Sequence, residues 1–346
     1  MTTIRTVTGD LRAAEVGRVD CHEHLFQVTP LLPGDDLTDE AASTTEAGYL
    51  ARSGFDAMVD ATPFGLRRRP LALLHASRTA RLLIVATTGA HRSEHYADQS
   101  WVLELSTDDM VARFRADVID GMPPVDRPQA SEKRTDARAG VLKAGIGYWR
   151  IDAFERRVIE AVGEVHRETG CPVMVHTEFA TAAHEVLDLL HQDGVPPDRV
   201  VLAHVDRNPD PGLHAELASR GAYLGYDGAA RARSAPDSVI LNCLASVVAA
   251  GHAGSLLIGG DVARATRYRA YGGMPGLEYL GTRFLPRLRK VTGDAVVETI
   301  IRTNPQRLLM TDLLEDVRAL DTRGEGRGDA GAGDEPQGRA SGSGST

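Results

Sequence analysis

The chain lacks the features of a membrane protein or a nucleic-acid-binding protein. No apolar run approaches the roughly 20 residues that a helix needs to span a bilayer. Residues 1–18 contain no apolar stretch of the kind that marks a secretory signal. The formal net charge of −9 provides no basic surface for nucleic acid. We therefore expect neither a membrane nor a nucleic acid among its partners.

Cysteine and lysine are scarce. The three cysteines, Cys21, Cys171 and Cys243, are odd in number and widely spaced, which excludes a disulfide framework and a CxxC metal motif. Free cysteines are usually small buried residues. Because cysteines stay unpaired in a reducing compartment, these three favour a cytoplasmic protein. Lysine accounts for only three of the 39 cationic residues, and one of the three, Lys143, ends an apolar run.

Eight apolar runs alternate with amphipathic stretches along most of the chain. Near-continuous apolar runs are typical of parallel strands that are buried on both faces. The predicted strands are residues 17–22, 55–62, 82–88, 140–143, 172–176, 200–204, 222–226 and 256–260.

The stretches between these runs have helical periodicity. Residues 151–169 place five apolar side chains on one stripe, and Gly170 then ends the predicted helix. Eight strands alternating with helices predict an α/β fold, a (β/α)8 TIM barrel, with a doubly wound open sheet as the alternative. The other predicted helices are residues 66–81, 108–119, 181–192, 211–219, 238–250, 277–290 and 294–302, with Pro305 opening a last short one.

Two segments depart from the repeat. Residues 101–138 form a long connection after the third strand, which we expect to be a lid or a tolerated insertion. The end of the chain is rich in Gly, Ser and charged residues and has no apolar side chains to bury. We predict one barrel domain over residues 1–321 and a disordered tail over residues 322–346.

Metal-ligand side chains stand where four of the predicted strands end. In a strand, residues i and i+2 point to the same side, so the imidazoles of His22 and His24 can face one site. Imidazole is the commonest ligand of zinc and similar metals, although a single histidine at a strand end is more often structural. Asp261 alone could equally cap a helix. The recurrence favours a shared site, and the candidate metal ligands are His22, His24, His176, His204 and Asp261.

Lys143 ends a fifth strand. A lysine there can simply extend its ammonium group to solvent. A buried, neutral lysine is instead nucleophilic, and it can add carbon dioxide to form a carbamate whose two oxygens bridge two cations. The same amine could attack a carbonyl carbon, which leaves a Schiff-base lyase using Lys143 as a hypothesis from a different class.

Together these segments resemble the phosphotriesterase family of the amidohydrolase superfamily, from Ile4 to about Leu309. The resemblance implies a distorted barrel of the amidohydrolase type that holds two divalent metal ions, expected to be Zn²⁺ with Mn²⁺ or Co²⁺ as alternatives. The similar segments are Val7-Thr8-Gly9, His22-Glu23-His24-Leu25, Lys143-Ala144-Gly145, HRETGCPVMVHTE at 166–178, HVDRNPD at 204–210, GAYLGYDG at 221–228 and Tyr271-Gly272-Gly273.

The resemblance also implies roles for the candidate ligands. His22, His24 and Asp261 would hold the more buried metal, and His176 and His204 the more exposed one. Lys143, as a carbamate made from carbon dioxide, and a hydroxide would bridge both metals. The hydroxide would attack the substrate, with Asp261 accepting its proton and relaying it. Asp206, two residues beyond His204, would support a ligand or shuttle the proton, unless it is a surface carboxylate.

The loops leave several substrates open. Similar proteins hydrolyse organophosphate triesters, N-acyl-homoserine lactones, sugar lactones or phosphorylated sugar lactones. Five arginines follow the seventh and eighth strands, where TIM barrels bind phosphate, although solvated loop charges would look the same. His91 stands where lactonase relatives tend to have tyrosine. Arg264 and Tyr268 match a pattern that resembles the branch of the family acting on phosphorylated sugar lactones. The candidate substrate-binding residues are Arg264, Tyr268, Arg231 and His91.

We therefore expect a binuclear metal-dependent hydrolase that opens a lactone ring, with a phosphorylated sugar lactone as one candidate. The alternatives within the same scaffold are a phosphotriesterase (aryldialkylphosphatase) and an N-acyl-homoserine lactonase. A non-catalytic metal site is disfavoured because structural zinc sites are usually closed and rich in cysteine. The expected partner is a small-molecule substrate, with a possible homodimer left open.

Overall fold

The computed structural model describes residues 2–311, so the predicted boundary at residue 321 and the predicted tail lie outside the described residues. Eight parallel strands form a nearly closed barrel with helices around it, which confirms the predicted TIM-barrel fold. A small antiparallel sheet, which was not predicted, consists of β1 (Thr3–Thr6), β2 (Gly9–Arg12) and β11 (Met310–Thr311). The barrel strands are β3 (Val19–Glu23), β4 (Ala57–Asp60), β5 (Leu83–Gly89), β6 (Ala139–Gly145), β7 (Val173–His176), β8 (Val200–Ala203), β9 (Tyr223–Tyr226) and β10 (Leu256–Ile258).

Each barrel strand pairs in parallel with the next one along the chain. Nearly all of their residues are buried, because one face packs against the surrounding helices and the other faces the barrel interior. The first and last barrel strands meet where the N–H of Asp261 donates to the carbonyl of His22 at 2.8 Å. Gly259 permits this approach, since a Cβ atom there would lie only 2.7 Å from the Cβ of His22.

The predicted helices are present, and α5 illustrates their ends. Asp152 caps it by accepting from the N–H of Glu155, Glu155 accepts in return from Asp152, and Gly170 ends it at a φ of 67°. Two helices, α1 and α3, were not predicted. In residues 2–311 no helix is long and apolar enough to cross a membrane. The helices are α1 (Glu40–Arg52), α2 (Pro70–Ala80), α3 (Ser100–Leu103), α4 (Thr107–Ile119), α5 (Ala153–Thr169), α6 (Ala183–Gln192), α7 (Pro211–Ser219), α8 (Asp237–Ala249), α9 (Leu285–Thr292), α10 (Asp294–Glu298) and α11 (Asn304–Leu309).

The long connection between β5 and β6 is anchored by buried ion pairs. The guanidinium of Arg68 contacts Asp117 in α4 at 2.6 Å and Asp126 in the following loop at 2.8 Å. Arg134 contacts the other oxygen of Asp117 at 2.8 Å. Since a buried charge without its partner is strongly destabilising, these pairs hold the insertion against the barrel.

Candidate metal centre

The candidate ligands converge at the carboxyl ends of the barrel strands. His22 and His24 lie at the end of β3, His176 ends β7, His204 follows β8, and Asp261 follows β10. The Oδ1 atom of Asp261 lies 3.5 Å from Nε2 of His24 and 3.8 Å from Nε2 of His22. The ring centroids of His176 and His204 are 4.5 Å apart, and those of His22 and His204 are 4.9 Å apart. One site therefore gathers all five side chains.

Two of these residues have left-handed backbone conformations, which are unusual for residues other than glycine. The φ angle is 64° at His204 and 41° at Asp261. Such conformations cost about 1–3 kcal/mol each and persist where the surrounding structure enforces them. Both residues stand just after a strand, and Nδ1 of His204 lies 3.7 Å from Oδ2 of Asp261.

Asp227, directly after β9, fixes the tautomers of two histidines. Its carboxylate lies 2.9 Å from Nδ1 of His22 and 2.6 Å from Nδ1 of His204. Since a carboxylate only accepts, each Nδ1 carries the proton and each Nε2 keeps a lone pair for a metal. Burial alone would raise the pKa of Asp227, but the two imidazoles lower it well below its usual range. The sequence alone indicated no role for this residue.

His24 and His176 are oriented in the same way by other partners. Thr62 Oγ1 lies 2.8 Å from Nδ1 of His24. Glu178 Oε1 lies 2.8 Å from Nε2 of His176, so this ring donates from Nε2 and keeps its lone pair on Nδ1. That Nδ1 atom is buried and has no hydrogen-bond partner within residues 2–311. An unpaired acceptor at this position fits a ligand of a metal ion.

Burial keeps three of the histidines neutral. It lowers the pKa of His24, lowers that of His176 well below the ordinary value, and lowers that of His204 to about 3. Neutral imidazoles can bind a divalent cation without first losing a proton. Two groups have ligand atoms within 4.8 Å of one another: His22, His24 and Asp261, and His22, His204 and Asp227.

Lys143 lies beneath this cluster in β6 and is fully buried. Its Nζ atom lies 3.3 Å from the sulfur of Met174. Burial lowers the pKa of the Lys143 ammonium to about 8, although the carboxylates of Asp261 and Asp227 oppose this shift. A substantial fraction of neutral amine is therefore available at mildly alkaline pH, as carbamate formation requires.

A cavity of about 220 Å³ opens above the ligands. Three of the four predicted substrate-binding residues, His91, Arg231 and Arg264, line it. Tyr268 does not, because it is fully buried and its hydroxyl donates to the carbonyl of His24. Asp206 is also buried outside the cavity lining, where its carboxylate accepts from the N–H of Gly228 at 2.7 Å.

Four further residues of the cavity wall carry ionisable side chains and had no predicted role. They are Arg92, His95, Glu178 and Arg207. Glu178 connects several of them, because its Oε1 lies 3.1 Å from Arg92 and 3.5 Å from Arg207. In the sequence, the position of Glu178 two residues after His176 could have indicated this role. A larger cavity of about 390 Å³, near Trp149 and Glu185, contains no histidine in its lining and lies away from the ligands.

A (β/α)8 barrel with histidines and an aspartate gathered at its carboxyl end defines a metal-dependent hydrolase. Residues 2–309 match the phosphotriesterase family, and the chain belongs to that family. The resemblance noted in the sequence is thus confirmed.

Individual relatives extend this comparison. A phospho-furanose lactonase from Mycoplasmopsis agalactiae is 31% identical over 323 residues, which cover 89% of this chain and 92% of the relative. Among solved structures, an amidohydrolase from Mycoplasma synoviae aligns with a TM-score of 0.85 at 28% identity, covering 93% of this chain and 98% of that one. A lactonase from Listeria monocytogenes aligns with a TM-score of 0.80 at 29% identity, covering 89% and 98%.

Proposed function

We propose that this protein is a metal-dependent hydrolase that opens the ring of a phosphorylated sugar lactone. The observation that carries the proposal is the convergence of the four histidines with Asp261 beneath a cavity whose wall is rich in arginine. The similarity to a phospho-furanose lactonase supports the same substrate class. A neutral phosphotriester or an acyl chain would not need several cationic groups around it.

The ligand set suits two divalent cations. His22, His24 and Asp261 would hold one, and His176 and His204 the other, with zinc as the expected metal because imidazole and carboxylate ligands suit it. Mn²⁺ or Co²⁺ are alternatives. When bound, two such cations supply hydroxide at neutral pH and polarise the carbonyl oxygen of the substrate.

Two side chains of the protein would act beside the cations. The Oδ2 atom of Asp261 lies beside His204 and Arg231, whereas Oδ1 faces His22 and His24, and Oδ2 would accept a proton as the lactone opens. Lys143 would add carbon dioxide through its neutral amine, forming an N–C bond and releasing one proton. The resulting carbamate would bridge the two cations. A Schiff-base role for Lys143 is less favoured, because this side chain is absent from the lining of the cavity.

The cavity wall would bind the anionic end of the substrate. Arg264 lies in the loop after β10, and its guanidinium is 47% exposed and only 3.3 Å from Asp35. Arg231 and His91 line the same cavity. Guanidinium groups bind phosphate through paired hydrogen bonds, which favours a phosphorylated lactone over an unphosphorylated one.

The test is a hydrolysis screen of matched free and phosphorylated aldonolactones, with a paraoxon-like triester beside them, using wild type and Arg264→Ala. We expect the phosphorylated lactones to have the highest kcat/KM. Arg264→Ala should reduce that value about 10- to 100-fold, from the 1.5–3 kcal/mol of a hydrogen bond to a charged group, and should leave free lactones nearly unchanged. A wild-type preference for the triester would overturn the proposal.

We also propose a cytoplasmic location and a homodimer. The three cysteines are all buried and unpaired, as suits a reducing compartment. Tyr148, Trp149 and Phe179 are exposed aromatic side chains on neighbouring loops, and they offer an apolar contact for a second copy. A solution mass equal to one chain would exclude the dimer.

A further inference from the structure

The two carboxylate oxygens of Asp261 face different partners. Oδ1 faces the imidazoles of His22 and His24 at 3.8 and 3.5 Å. Oδ2 contacts the guanidinium of Arg231, and the same guanidinium also donates to the main-chain carbonyl of Asp261. A metal ligand is therefore paired with a cation that the protein itself supplies from another loop.

Within residues 2–311, both side-chain hydrogen bonds of Arg231 go to Asp261. Burial lowers the pKa of Arg231, but Asp261 leads the carboxylates that raise it above its ordinary value. Within residues 2–311 the Nε atom of Arg231 is buried without a hydrogen-bond partner. The side chain is nevertheless 23% exposed and lines the cavity. The exposed part of the guanidinium side chain can thus contact a ligand in the cavity.

The other arginines of the cavity wall lie closest to other carboxylates. Arg264 pairs with Asp35, and Arg92 pairs with Glu178. Arg207 lies 3.5 Å from Glu178 and 3.8 Å from Oδ2 of Asp261. Arg231 is therefore the arginine of this wall in closest contact with a candidate metal ligand, among the residues that the structure describes.

We propose that Arg231 is an exchangeable cation that pairs with Asp261 in the metal-free chain and with the anionic group of the substrate in the metal-loaded chain. Two cations that share one carboxylate repel each other, so metal binding weakens the contact between Arg231 and Asp261. The buried guanidinium then needs another anion, and a phosphate group provides one. This inference rests on the proposed function for the identity of the anion.

Such coupling must be reciprocal. If metal binding releases Arg231 for the anion, then the anion must raise the affinity for the metal by the same factor. It also follows that Arg231 opposes metal binding as long as no anion is present. Removing its charge should therefore strengthen metal binding, whereas removal of an ordinary ligand-supporting residue weakens it.

The experiment measures the affinity for Co²⁺ by competition with a chromophoric chelator, with and without inorganic phosphate, at fixed pH. The variants are Arg231→Met and Arg264→Met, which remove the same charge from the same cavity. We expect Arg231→Met to bind Co²⁺ about 10-fold more tightly than wild type, within the 5- to 150-fold range of site coupling. At saturating phosphate, Co²⁺ binding should tighten several-fold in wild type. Arg264→Met, which weakens the anion site itself, should need more phosphate to reach the same tightening, whereas Arg231→Met should show no tightening at any phosphate concentration.

Two results would overturn the inference. One is an Arg231→Met variant that binds Co²⁺ no more tightly than wild type. The other is equal tightening by phosphate in wild type and Arg231→Met, which would mean that phosphate binds the metal directly. Thermal unfolding of the metal-free variants checks that they are folded. If Arg231→Met does not fold, Arg231→Gln replaces it in the same measurements.

This measurement is separate from the test of function. If no lactone is hydrolysed but Arg231→Met binds Co²⁺ more tightly, the exchange stands and the proposed substrate is wrong. If phosphorylated lactones are hydrolysed but Arg231→Met does not change the Co²⁺ affinity, the function stands and the exchange is wrong.

Discussion

The site has a floor and a wall that differ in how their side chains are held. The floor consists of the four histidines, Asp261, Asp227 and Lys143, which are all buried. The wall consists of Arg92, Arg207, Arg231 and Arg264 with the loops that carry them, and these side chains are partly exposed. Floor residues come from strand ends, and the ring nitrogens of its histidines are fixed by Asp227, Thr62 and Glu178. The fold therefore determines the chemistry, and the loops determine the substrate.

Two carboxylates connect the floor with the wall. Glu178 accepts from His176 and pairs with Arg92, while Asp261 faces His22 and pairs with Arg231. Each therefore links a histidine of the floor with an arginine of the wall. A change in the charge of the wall should consequently affect the floor. The comparison can be tested by substitutions in either part.

The largest expected effect comes from removing a ligand of the floor. His22→Asn should lower the metal content from about two ions per chain to about one, since imidazole Nε2 has no equivalent in the shorter amide. Activity on free and phosphorylated lactones should fall equally, by about a thousand-fold, because a bound metal lowers the barrier by several kcal/mol. Metal analysis and kcat/KM for both substrates measure this. A selective loss on one substrate would mean that floor and wall are not separate.

The next effect concerns the residue that orients the floor. Asp227→Asn should reduce metal affinity about 10- to 100-fold, because an amide cannot accept from His22 and His204 without turning its NH₂ group toward one of them. Chelator competition measures the change. Asp206→Asn is the matched control, since Asp206 is an equally buried acid that accepts from Gly228 and touches none of the histidines by hydrogen bond. Equal losses in the two variants would exclude a specific role for Asp227.

The floor could be predicted from the sequence far better than the wall. His22, His24, His176, His204 and Asp261 follow apolar runs, and the carboxyl ends of parallel strands must meet at one face. Asp227 follows a strand in the same way, but Tyr-Asp-Gly is also an ordinary turn sequence, so its role depends on contacts that only the fold reveals.

The wall depends on side chains of irregular loops. Nothing periodic in the sequence indicates that Arg92 and Arg207 approach the same oxygen of Glu178. The helix α1 was missed because its polar and small residues give it little amphipathic pattern. Tyr268 was predicted at the substrate and lies instead behind His24, since the resemblance that suggested it does not specify the direction of a side chain.

A smaller effect concerns pH and Lys143. The pKa of Lys143 is lowered to about 8, so below that pH its amine is increasingly protonated and cannot add carbon dioxide. At fixed carbon dioxide pressure, metal affinity should therefore fall at least about tenfold per unit as pH falls from 8 to 6.5. The pKa values of His24, His176 and His204 are lowered by burial, so these side chains add little in that range.

Lys143→Glu provides the comparison for this pH dependence. Its carboxylate needs neither carbon dioxide nor a neutral amine, so metal affinity should be nearly constant from pH 8 to 6.5. If the metal affinities of the variant and of wild type fall in parallel over this range, the pH dependence comes from other ligands. A carbamate on Lys143 is then excluded.

The smallest effect separates Tyr268 from the wall. Tyr268→Phe removes the hydrogen bond to the buried carbonyl of His24 and should destabilise the chain by about 1–3 kcal/mol, measured by denaturant unfolding. Because the hydroxyl does not line the cavity, the ratio of kcat/KM for phosphorylated and free lactones should stay at the wild-type value. Arg264→Ala, measured beside it, should lower that ratio with little loss of stability. A fall in the ratio for Tyr268→Phe at wild-type stability would return this tyrosine to the substrate-binding set.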